Sequence, residues 1–186
     1  MENVFNKGTS HSVFKWSGLG DVSVGRAELG GEMPVIVYRL FEYSLLDILV
    51  KECGKDEADE LFRKAGFLAG EEFAANMLDL SLDFNGFLAE LQRILKELKI
   101  GILRVEHIDE GKGDIVLTIA EDLDCSGLPV TGEVVCNYDE GFLAGILTAY
   151  THNNYKVREI DCWANGDRVC RFSGVVTSSE EAKGLA

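Results

Sequence analysis

The sequence predicts an α+β fold, a helical layer packed on an antiparallel sheet and closed by a C-terminal β-hairpin. Three observations predict it. Apolar residues recur at helical spacing between residues 38 and 98, strand-like runs joined by a tight turn occupy 101–120, and a further helical stretch at 137–150 precedes a hairpin signal at Asn165-Gly166-Asp167. Helices first and neighbouring strands afterwards mark segregated layers, not alternating βαβ units. At 186 residues and 46% hydrophobic content the chain can bury a core without disulfides. We divide it into an N-terminal strand-like segment at 1–33, a main domain at 34–176 and a tail at 177–186.

Taken in order, residues 12–16 and 22–26 read as short strands joined across Gly18-Leu19-Gly20. The glycine spacing fits no phosphate-cradling motif, so this is a turn. Leu40, Phe41, Leu45, Ile48 and Leu49 fall at helical spacing within 38–52, and Gly54 stops that helix. Asp56 then caps a long helix to about residue 80, with Leu61, Phe62, Ala65, Phe73 and Met77 facing inward. Asp83 caps the next, 84–98, where Phe87, Leu91, Ile94 and Leu98 form one apolar stripe. Strands at 101–107 and 114–120 flank a glycine-rich turn at 109–113. Asn137 caps the 137–150 helix, with Asp139 and Glu140 in its acid-favouring first turn. Gly141 and Gly145 on that helix, and Gly66 and Gly70 on the long one, give each a smooth face where the two can meet.

The C-terminal hairpin carries potential metal ligands. Asn165-Gly166-Asp167 joins β-rich runs at 155–163 and 168–176, since Asn and Gly tolerate positive φ. This loop sets Cys162 opposite Cys170, with Cβ atoms about 4.5–5.5 Å apart, near the reach of two thiolates on one tetrahedral zinc. Glu159 lies three residues before Cys162, the wrong parity for a regular strand, so a bulge or the longer Glu side chain must bring it round. Cys136, just before the 137–150 helix, completes three thiols and a carboxylate, enough to close a structural four-coordinate site. The same cysteines also read as small buried residues, because free Cys is among the most buried types. Cys53 and Cys125 read as bystanders, Cys125 in a turn where it could be exposed. Lys156, Arg158, Arg168 and Arg171 gather on the hairpin, either to offset the net negative charge of a zinc centre or as an ordinary charged face.

The run Cys136-Asn-Tyr-Asp-Glu-Gly141-Phe-Leu-Ala-Gly145, followed by Arg158-Glu159-Ile-Asp-Cys162-Trp-Ala-Asn-Gly166-Asp167-Arg-Val-Cys170-Arg171-Phe172, resembles the C-terminal signature of the V4R (4-vinyl reductase) domain family. That family is similar in fold to haem nitric-oxide-binding domains and Golgi-transport subunits. It includes the sensor domains of phenol- and xylene-responsive activators. The resemblance implies a structural zinc on Cys136, Glu159, Cys162 and Cys170 beside a buried pocket for a small aromatic or hydrocarbon ligand. In the phenol sensors a His and a Trp hold the ligand hydroxyl. Here Trp16 and Trp163 are the only tryptophans and neither falls in the matching strand, so phenol specificity does not carry over.

The function this implies is a stand-alone binding or sensor domain. Its pocket would be lined by Phe62, Phe73, Met77, Phe87, Leu91 and His107, with Phe84 nearby, although each aromatic and aliphatic residue reads equally as core. An enzyme is disfavoured, because no nicotinamide or flavin fingerprint is present and His11, His107 and His152 are scattered. A protein-interaction scaffold and a tetrapyrrole-related carrier or reductase accessory are the alternatives. The formal charge of −14 disfavours direct binding to nucleic acid or to an anionic membrane. No run approaches the roughly 18 apolar residues of a membrane span, and no signal peptide opens the chain. We therefore expect a cytoplasmic protein with reduced thiols. The resemblance also implies pairing, so we expect a homodimer in which residues 4–26 pack across the partner.

Overall fold

The computed structural model describes residues 14–109 and 111–177. Contacts divide the chain into two units, Met1–Gly31 and Glu32–Ala186. In the first, Trp16–Leu19 is a 3-10 turn and α1 (Val22–Gly25) is a single helical turn, where strands were expected. Local capping decides this: the Asp21 carboxylate accepts from the Ser23 and Val24 amides at 2.9 and 3.2 Å, closing a helical turn. Residues 12 and 13 of the expected first strand lie outside the described residues, as do His11 and the tail beyond 177, while Phe14 and Lys15 form neither helix nor strand.

The second unit is α+β. Helices α2 (Val35–Cys53), α3 (Lys55–Met77) and α4 (Phe84–Glu97) precede β1 (Ile102–Asp109) and β2 (Asp114–Ala120). Then come α5 (Asn137–Thr151), β3 (Tyr155–Asp161) and β4 (Cys170–Val176). All strand pairs are antiparallel in the order β1-β2-β4-β3. Phe172, Leu117, Ile115 and Val157 point from the sheet into the core.

Gly54, at φ 87°, both ends α2 and opens α3, leaving Asp56 in the first turn and not at the cap. Asp83 does cap α4, accepting from the Gly86 amide at 2.8 Å. On α4, Phe87, Leu91 and Ile94 are buried as their spacing predicts, while Leu98 is exposed. On α3 the inward face differs from the expected one. Ala58, Phe62, Gly66, Gly70, Phe73 and Ala74 are buried, and Leu61 and Ala65 are exposed. Glycine chooses that face. A Cβ on Gly66 or Gly70 would collide with the Tyr138 or Phe142 carbonyl, and one on Gly141 or Gly145 with the Arg63 or Phe67 carbonyl. Helices α3 and α5 therefore cross in backbone contact, and the apolar residues that flank the crossing turn outward.

Candidate metal centre

Four cysteines from four segments meet where α5 enters the core. Cys136 is the residue before α5, Cys162 follows β3, Cys170 opens β4, and Cys125 sits in the turn after β2. Their sulfurs all lie within 4.8 Å of one another, and all four residues are at most 1% exposed. Cys136 Sγ is 3.9 Å from Cys162 and 3.8 Å from Cys170, and Cys125 is 3.0 Å from Cys170. The thiols are close enough to hold one metal ion, and none forms a disulfide.

The protein's own backbone builds this arrangement. Cys170 pairs with Ile119 of β2, and β3 pairs with β4 through Glu159 and Phe172 and then Asp161 and Arg171. Cys162 thus lies just beyond the ladder, brought to Cys170 by the Trp163–Asn165 3-10 turn and not by direct cross-strand opposition. The register shift between Glu159 and Asp161 is a bulge that ejects Ile160, 49% exposed, and returns Glu159 and Cys162 to the same buried side.

The expected ligands are not all brought to one point. Cys136, Cys162 and Cys170 converge; Glu159 is buried beside them, outside the mutually close set. Its Oε2 accepts from the Val135 and Cys136 amides at 3.1 and 3.0 Å, while Oε1 has no partner among the described residues. Burial pushes its carboxyl up to about 8. Cys125, read from sequence as a bystander, occupies the remaining corner and is buried. No spacing in the sequence links it to the other three, and Cys53, exposed on α2, is the one cysteine outside the group. Hydrogen bonds from Cys125, Cys136 and Cys170 hold the Cys162 thiol low, and thiol contacts push Cys136 up.

Acids ring the cluster. Asp122, Cys136 and Asp139 offer ligand atoms within 4.8 Å of one another. Asp122 Oδ1 accepts from the Asp124 and Cys125 amides at 2.9 and 3.3 Å. Asp124 is pushed up to about 7 by burial and by Asp122, and Glu42 to about 9 by burial and by Asp124. Two of the hairpin's basic residues pair with carboxylates: Arg158 reaches Glu140 at 3.0 Å, and Arg171 binds Glu106 and Asp161.

The expected pocket residues are mainly core. Phe73 meets Phe142 edge-on at 5.1 Å, and Phe87 stacks on Tyr150 at 3.8 Å. Phe62 and Leu91 are buried and Met77 half-buried, but His107 is exposed on β1 and does not face the interior. A β1 register shift between Val105 and His107 turns that end of the strand.

A sequence model of the V4R domain matches residues 115–175, the span holding all four clustered cysteines. An uncharacterized protein of Methanocaldococcus jannaschii, MJ1642, is 31% identical over 145 residues, covering 78% of this chain and 79% of its own length. The chain belongs to the V4R domain family. Solved structures share the fold. The phenol-responsive sensory domain of the transcription activator PoxR, crystallised with phenol, superposes with a TM-score of 0.59 at 18% identity, covering 82% of this chain and 80% of that one. A vinyl-4-reductase family protein from M. jannaschii gives 0.56 at 17% identity, covering 81% and 86%. A trafficking protein particle complex subunit 3 from Naegleria fowleri, covalently bound to palmitic acid, gives 0.63 at 11% identity, covering 77% and 95%. A V4R domain here therefore means helices on a four-stranded antiparallel sheet with a cysteine cluster at their junction.

Proposed function

We propose that this V4R protein is a binding or sensor domain for a small, largely apolar ligand, with a structural zinc pinning the C-terminal hairpin to the start of α5. The observation that carries the reading is the buried convergence of Cys136, Cys162 and Cys170 in a fold shared with a ligand-responsive sensory domain. Soft thiolates suit zinc. The two edges from Cys136, 3.9 and 3.8 Å, match the roughly 3.8 Å sulfur separation of a tetrahedron with bonds of about 2.3 Å. Bound zinc would neutralise charge and cross-link β3, β4 and α5, and a closed thiolate shell leaves no position for substrate.

The ligand site of this proposal lies between the helices and the sheet, against Phe62, Phe73, Phe87 and Leu91, with Met77 at its edge. Occupancy would part the α3–α5 glycine crossing or the Phe87–Tyr150 stack, a conformational output without chemistry. A thermal-shift screen with phenols, short-chain hydrocarbons and palmitate tests it. At 100 times its dissociation constant a ligand selective for the folded state adds about 2.7 kcal/mol, and no stabilisation by any of them refutes the ligand reading. A tetrapyrrole would instead colour the purified protein.

One observation favours a scaffold as the second reading. Helix α2 exposes Ile36, Leu40, Phe41 and Ile48 at 53–68%, a face suited to protein contact. Homodimerisation and a cytoplasmic location complete the proposal. Among the described residues no helix is long and apolar enough to cross a membrane. Light scattering of the full chain reads the dimer directly.

A further inference from the structure

The structure places one donor too many around the metal position. Cys136, Cys162 and Cys170 are common to every arrangement; Cys125 and Glu159 compete for the fourth corner. Both sets carry the same charge once the metal is bound, so electrostatics does not choose between them. Geometry and donor chemistry do. Cys125 Sγ belongs to the set whose members all lie within 4.8 Å of one another, and Glu159 does not. Glu159 Oε2 already accepts two amides, those of Val135 and Cys136, which fixes the approach of the chain into α5. Its buried Oε1, without a partner among the described residues, is the rival donor. A thiolate is the softer ligand, and its 3.0 Å edge to Cys170 needs to open only to about 3.8 Å around zinc.

The turn that presents Cys125 is held from two sides. Asp122 accepts the Cys125 amide, and the Leu128 amide donates to the Cys125 carbonyl at 2.9 Å. From α2, Arg39 donates to the carbonyls of Leu123 and Ser126 at 2.8 and 2.9 Å, Tyr38 to the Asp124 carboxylate at 2.9 Å, and Tyr43 to the Asp124 carbonyl at 3.0 Å. These polar bonds surround Cys125 while the outer face of α2 stays apolar and exposed. Anchoring Cys125 thus anchors the platform on which α2 rests.

We propose that Cys125 is the fourth ligand of the metal held by Cys136, Cys162 and Cys170, with Glu159 a positioning residue, and that through residues 122–128 the metal holds α2 against the domain. This rests on the zinc reading above and names its donor set. X-ray absorption at the zinc edge of the full chain, purified without chelator, tests it: four sulfurs at about 2.3 Å are expected. Three sulfurs and one oxygen at about 2.0 Å overturn this proposal and leave the zinc reading standing. Protein that is folded and metal-free overturns both. In cobalt-loaded protein, Cys125→Ser should lower the thiolate charge-transfer intensity by about a quarter, one thiolate of four, and Glu159→Gln should leave it unchanged. Hydrogen exchange reads the coupling: α2 amides should exchange about tenfold faster or more after Cys125→Ser or chelation, and at the parent rate in Glu159→Gln. Equal α2 exchange in Cys125→Ser and the parent removes the link to α2.

Discussion

Two buried acidic regions adjoin the first turn of α5, and they are finished differently. At the α3–α5 crossing Glu140, 3% exposed, is saturated: Oε2 takes Arg63 at 2.5 Å and Arg158 at 3.0 Å, and Oε1 takes the Glu159 amide at 2.7 Å. Arg63 is in turn fixed by the Asn137 side chain at 2.6 Å. Behind α2 the carboxyls of Glu42, Asp122 and Asp124 are as buried, yet they bond chiefly to other acids, Glu42 to Asp124 and Asp122 to Asp139. A buried carboxylate needs either a counter-charge or a proton. The first region carries its counter-charges in the chain. The second is completed by protons and, on our proposal, by a metal at its edge.

Breaking the second region should have the largest effect. Cys162→Ser, or chelation of the parent protein, is expected to cost on the order of 5 kcal/mol, because structural zinc supplies folding free energy directly. Cys53→Ser, exposed on α2, should stay within about 0.5 kcal/mol. Urea denaturation with metal analysis compares the two. Equal stabilities would remove the structural role of the centre.

Breaking the first region comes next. Gly141→Ala drives a Cβ into the Arg63 carbonyl, and neither backbone can retreat without parting the helices. We expect about 3 kcal/mol of destabilisation, read as a lowered denaturation midpoint. A midpoint within error of the parent would show that the crossing is loose.

The smallest effect separates protons from metal in the acidic pocket. Burial and Asp124 raise Glu42 from 4.5 to about 9, so between those values the folded chain binds more protons than the unfolded one. Stability from this group is complete below about pH 4.5 and is lost as the pH rises towards 9. Glu42→Gln stays neutral throughout. It should match the parent near pH 4.5 and exceed it progressively as the pH rises towards 9. Parallel stability curves for the two proteins would show that Glu42 is already ionised when folded.

Much of this architecture was legible in the chain. Gly54 and Asp83 mark helix boundaries through rules that act within one turn, and the alternation in β2 reads directly as a half-buried strand. The repeated four-residue glycine spacing on two helices correctly indicated where they meet. The parity conflict at Glu159 also had a structural answer, the bulge at Ile160. Local rules misled where a competing local bond was overlooked, as at Asp21, whose cap makes a helical turn of an apparent strand.

What the sequence determined by itself is therefore the set of elements of the second unit, their order, the glycine faces and three of the four clustered cysteines. Only the tertiary structure decided that Leu61 and Ala65 face outward, because α5 rather than apolar periodicity selects the buried face of α3. It alone brought Cys125 to Cys170, 45 residues away in the chain. That meeting depends on how the turn after β2 is held by Asp122 and α2, a long-range closure for which no spacing rule exists. Periodicity encodes which side of one element is apolar; which neighbour arrives on that side is set by packing of the whole core.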